Sequence, residues 1–106
     1  MNVQDYIKVY ENIVSDKLCD ELMAAKFNYK SSSFSSHTEV HENSEDRVIM
    51  DDFWIEKDNS FYNPLKECFV KAVRQYEFDF PRFSCEHCTN FRINKYGTGG
   101  FMSEHV

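Results

Sequence analysis

The residues best suited to chemistry lie between Cys85 and the last position of the chain. Tyr96 closes an alternating stretch, Gly97, Gly99 and Gly100 follow it, and His105 stands nine positions after the tyrosine. Glycines let a backbone turn sharply through conformations that other residues resist, so this spacing joins a phenol hydroxyl and an imidazole across a tight turn. Just upstream, Cys85-Glu-His-Cys88 has the spacing of half a tetrahedral zinc site, with His87 available as a third donor. A structural zinc site needs four ligands. His37 and His41 have i, i+4 spacing but sit in a polar stretch without helical patterning, which leaves the Cys85 and Cys88 thiols without an evident partner half. Asp51-Asp52 resembles a carboxylate pair for acid-base work; neighbouring strand residues face opposite ways, so a solvated turn is expected there instead.

The run Phe91-Arg-Ile-Asn-Lys-Tyr96-Gly-Thr-Gly-Gly-Phe-Met-Ser-Glu-His105-Val106 resembles the entry to the active site of the prolyl-4-hydroxylase-like Fe(II)- and 2-oxoglutarate-dependent dioxygenases. There the histidine opens a His-x-Asp pair, and the facial triad of two histidines and one carboxylate leaves metal positions open. The resemblance implies that His105 is the proximal iron ligand and that the Tyr96 hydroxyl helps hold 2-oxoglutarate. Met102 stands where several relatives carry a substrate-facing aromatic residue, which leaves the substrate, a protein or a small molecule, open. Read from the residues alone, Tyr96 is equally a strand-end aromatic packed on a core, and Met102 a packing residue. The family's aspartate, distal histidine and 2-oxoglutarate-binding Arg or Lys all lie downstream of the matched segment. Residues 1–106 are therefore expected to be the N-terminal part of a single oxygenase catalytic domain. One histidine makes no chelate, so the chain by itself is expected to turn over no 2-oxoglutarate. The complete relative would use Fe(II), 2-oxoglutarate as cosubstrate and ascorbate as reductant. The rival reading is a non-catalytic α+β binding module, zinc-bound through Cys85 and Cys88.

Several elements must position these residues. Tyr6 to Val14 alternates, with Tyr6, Lys8 and Tyr10 on one face and Ile7 and Val9 on the other, which predicts a short strand. Ser15 reads as an N-cap, and Leu18, Cys19, Leu22, Met23 and Lys26 follow at helical spacing to about Phe27. Asn28 to Asp46, with Ser31-Ser-Ser-Phe-Ser-Ser36 and the acids Glu42, Glu45 and Asp46, offers no apolar face and reads as a mobile loop. Arg47 to Ile55 is β-prone, with a turn expected at Asp51-Asp52. Asn63 as cap and Pro64 at the first helical position open a second helix to about Tyr76. Its stripe is Leu65, Cys68, Phe69, Ala72, Val73 and Tyr76. Cys88 to Tyr96 then predicts a strand with Phe91 and Ile93 on one face. Cys19 and Cys68 fall on the apolar stripes and read as core residues.

At 106 residues with 42% hydrophobic and 16% aromatic content, the chain has the length and core-forming groups of one small folded domain. Its formal net charge of −6, without a basic stripe, argues against nucleic acid as a partner. No signal-like or membrane-length apolar run occurs, which predicts a cytoplasmic protein whose four cysteines stay reduced. The expected fold is α+β, two helices packed on the opening strands of a truncated double-stranded β-helix, or jelly roll. Such an unfinished sheet would leave an edge open to pairing.

Overall fold

The computed structural model describes residues 2–31 and 48–102, in two compact units. One gathers the N-terminal 25 residues with Glu56–Phe91, and the other gathers Lys26–Ile55 with the segment from Arg92 onward. The class is mixed α+β, with two helices and a small antiparallel sheet of three strands. Among the described residues no helix is long and apolar enough to cross a membrane.

In the helical unit, helix α1 spans Asp16–Ala24 and helix α2 spans Tyr62–Asp79. Ser15 caps α1 as its residue type predicts: its Oγ accepts from the Leu18 amide at 3.1 Å, satisfying one of the donors that a helix start leaves open. Ser15→Ala is expected to cost about 1 kcal/mol, read as a lower urea midpoint. An unchanged midpoint would show that this cap contributes nothing. The helix stops at Ala24 rather than Phe27, because Ala25 turns extended (ψ 140°); Phe27 already belongs to the second unit, where its ring stacks on Phe53 of that same unit, 4.7 Å between centroids. Cys19 is exposed and Met23 is 87% exposed, so the buried side of α1 narrows to Leu18 and Leu22, both half-buried; Cys19 is not a core residue.

Helix α2 begins one residue before the expected Asn63 cap. Asn59 organises the start, its Oδ1 accepting from the Phe61 amide at 2.9 Å and its carbonyl from the Tyr62 amide at 3.0 Å. Pro64 is tolerated as the third helical residue because that amide has no intrahelical acceptor. The helix runs past Tyr76 to Asp79 and stops ahead of Pro81. Its inner stripe matches the periodicity at Leu65, Cys68, Ala72, Val73 and Tyr76, all half-buried, but the buried anchor is Tyr62, whereas Phe69 is 36% exposed. Tyr62 and Phe69 both meet the Phe91 ring, at 5.5 and 6.1 Å.

The N-terminal segment is no strand. A 3₁₀ turn covers Val3–Tyr6 and Asn12 takes a left-handed conformation (φ 61°), so the alternating stretch has no ladder to join. The alternation itself is real, and it is the polar face that docks. The Tyr76 hydroxyl donates to the Tyr6 carbonyl at 2.7 Å, Lys8 Nζ lies 5.7 Å over the Phe80 ring, and the Tyr10 hydroxyl donates to Asp79 at 2.8 Å, while Ile7 and Val9 are 64% and 85% exposed. Removal from water, then the hydrogen bond to and negative charge of the Asp79 carboxylate, push the Tyr10 hydroxyl from 10.0 up to about 12. The neutral phenol is the form that the fold favours, so whatever this contact contributes is complete below pH 10 and is lost toward pH 12.

In the other unit, strands β1 (Lys30–Ser31), β2 (Val48–Ile49), β3 (Asp51–Ile55), β4 (Phe91–Lys95) and β5 (Phe101–Met102) form two sheets, ordered β1-β3-β4 and β2-β5. Asp51 and Asp52 make no turn: they lie in β3 opposite Ser31 and Lys30, and the break falls one residue earlier, at buried Met50. Asp51 is exposed and Asp52 is half-buried 4.0 Å from Arg92. Within the stretch expected to be a loop, Lys30–Ser31 is strand; Ser32 to Asp46 lie outside the described residues, as do His37 and His41. The third strand opens at Phe91 rather than Cys88, with Phe91 and Ile93 half-buried and Arg92 and Asn94 exposed, as the alternation predicts.

Candidate functional site

Strand β4 ends at Lys95 and delivers Tyr96 to the rim of a glycine turn, where the residue is 48% exposed. The turn is closed by the Gly100 amide donating to the Gly97 carbonyl at 2.9 Å, and Gly99 within it adopts φ +79°, a left-handed conformation that costs a side chain-bearing residue about 1–2 kcal/mol. Gly100 is required for a different reason. A Cβ there would stand 2.8 Å from the Ile49 carbonyl oxygen, so only hydrogen lets the chain pass over β2.

Past this crossing, β5 pairs antiparallel with β2, Ile49 opposite Phe101 and Val48 opposite Met102. Tyr96 and Met102 thus sit at the two ends of one turn, the tyrosine at the rim and the methionine half-buried. His105 lies outside the described residues.

The neighbouring cations of β4 have partners that the spacing alone did not reveal. The Arg92 guanidinium lies 5.5 Å over the Trp54 ring, beside Asp52, and Lys95 Nζ lies 5.0 Å over Tyr29. The alternation placed Arg92 on the polar face of its strand; only strand pairing brought β3 alongside it.

The Cys85 to Cys88 segment does not form a zinc half-site with a third ligand. Cys85, half-buried, turns its thiol toward the His87 carbonyl at 3.5 Å, and Cys88 is exposed. Among the described residues no three His, Cys, Asp or Glu side chains converge to hold a metal ion. The described residues therefore do not by themselves fit an iron centre. Comparison with protein-family models, curated proteins and solved structures gives no match to this chain, so the functional reading rests on its residues and their geometry.

Proposed function

We propose that this chain is the N-terminal portion of a prolyl-4-hydroxylase-like Fe(II)- and 2-oxoglutarate-dependent dioxygenase, which couples 2-oxoglutarate decarboxylation to hydroxylation of a C–H bond. The observation that carries the proposal is the turn in which β4 leads to exposed Tyr96, a left-handed Gly99 and a Gly100 threaded against Ile49. A run of residues that leads from such a turn to His105 is what the family's iron-site entry requires. The division of the strands between β1-β3-β4 and β2-β5 accords with the opening of a jelly roll, whose strands are shared between two sheets. In this reading Tyr96 holds a carboxylate of 2-oxoglutarate, Met102 borders the substrate, and His105 is an iron ligand. The bound iron and cosubstrate, with ascorbate keeping the metal reduced, would supply the oxidation. Thiols that stay unpaired at all four cysteines fit a cytoplasmic setting.

The coding sequence beyond Val106 provides the first test: Asp as the next residue, then a histidine and an Arg or Lys, is expected, and a continuation without them overturns the proposal. In a protein that includes this continuation, succinate formation is measured with Fe(II), ascorbate and 2-oxoglutarate under air. His105→Ala should abolish turnover and metal affinity, since one of three protein ligands is lost. Tyr96→Phe should weaken 2-oxoglutarate binding by about 0.5–3 kcal/mol and leave iron affinity in place. Full activity in His105→Ala would remove the basis of this reading.

A further inference from the structure

A cleft of about 290 Å³ lies wholly within the helical unit, between one side of α2, the turn that carries Lys57, and the segment Cys85–Asn90. Three cationic side chains line it, Lys57, Lys66 and Arg74, against a single carboxylate, Glu86. In a chain of net charge −6 such a gathering of positive charge is local and against the overall balance. A concave surface also focuses the field of the groups along it, which raises the local concentration of anions.

The lining mixes polar and apolar side chains, and its apolar part includes Phe69, Val70 and Val73, presented along α2 by their three- and four-residue spacing. Tyr62, 6% exposed, anchors the near wall, and Lys66 Nζ lies 5.9 Å over its ring, an attraction that holds the ammonium at the rim. Arg74 shares its guanidinium with Glu77 at 3.2 Å; a guanidinium has five N–H donors, so others remain for a ligand. An apolar strip edged by convergent charged groups suits a small amphipathic ligand, and the volume is that of a site for a small molecule.

We propose that this cleft binds a small organic anion, an apolar or aromatic body of about one ring carrying a carboxylate or phosphate. The body lies on Phe69, Val70 and Val73, and the charged group is met by Lys57 and Lys66. No residue of this site belongs to the Tyr96 turn, so the inference stands or falls separately from the proposed oxygenase activity.

Phenyl phosphate, benzoate and neutral benzyl alcohol, titrated into the chain and followed by amide chemical shifts, test it. At least one of the two anions should bind, at least tenfold more tightly than benzyl alcohol, with shifts on α2 and on residues 85–90; their relative affinities identify the preferred charged group. Lys57→Met and Lys66→Met should each weaken binding by up to about fivefold, and Glu86→Gln should tighten it by a similar factor, the size expected for single exposed charges. All three side chains are exposed, so the variants keep the fold. Equal affinity for the anions and the alcohol, binding by neither anion, or affinities unmoved by both lysine changes would each overturn the proposal.

Discussion

Ile55→Ala and Tyr62→Ala are expected to destabilise the protein more than any other truncation among the described residues, by about 2–5 and 3–5 kcal/mol respectively. The reason is how few of the described residues are fully enclosed. The buried hydrophobic side chains among the described residues are Met50, Ile55 and Tyr62, at 7, 0 and 6% exposure. Truncating Ile55, which has no exposed surface, leaves a void in place of its buried contacts, and truncating Tyr62 removes the ring that Phe91 packs on. Losses of that size approach the whole stability of a small domain, about 5–15 kcal/mol. The periodicity of α2 puts Phe69 on the stripe expected to face the core, yet at 36% exposure a Phe69→Ala change should cost well under half as much. Urea unfolding of the three variants decides the order. A Phe69→Ala midpoint as low as that of Tyr62→Ala would mean that the anchor has been misplaced.

Gly100→Ala should follow, at about 1–3 kcal/mol, the range for forcing a methyl group into occupied space. Its Cβ would lie 2.8 Å from the Ile49 carbonyl and 3.0 Å from that of Gly97, and both are backbone atoms that cannot swing aside. Relief requires either opening the turn or parting β5 from β2. Gly97→Ala makes the matched control, since nothing lies within 4 Å of a Cβ there, and Gly99→Ala isolates the cost of a positive φ in open space. Hydrogen exchange at the β2–β5 pairing should accelerate in Gly100→Ala and stay near wild type in Gly97→Ala. The reverse order would show that the glycine spacing has some other cause.

The helices and β4 were legible because their signals are local. A cap hydroxyl at Ser15, a run of apolar residues at helical spacing from Leu65 to Tyr76, and the alternation of Phe91 to Asn94 each follow from backbone geometry within a few residues. The same kind of reasoning failed where the deciding partner was distant in sequence. Tyr6 to Tyr10 alternates like a strand, but Tyr76, Phe80 and Asp79 engage its polar face through side chains, so no ladder is needed. Asp51-Asp52 has turn-forming residues, but pairing with Lys30 and Ser31 holds both in β3.

By itself the sequence determined the α+β class, the capped first helix, the amphipathic second one and the need for glycine between Tyr96 and Met102, since each is a short-range consequence of residue type. Tertiary structure decided which aromatic residue of α2 is enclosed, that Cys19 is exposed, and that Lys57, Lys66 and Arg74 share one cleft. Periodicity assigns a residue to a face. Whether that face is covered, and by which distant segment, depends on chain closure over tens of residues.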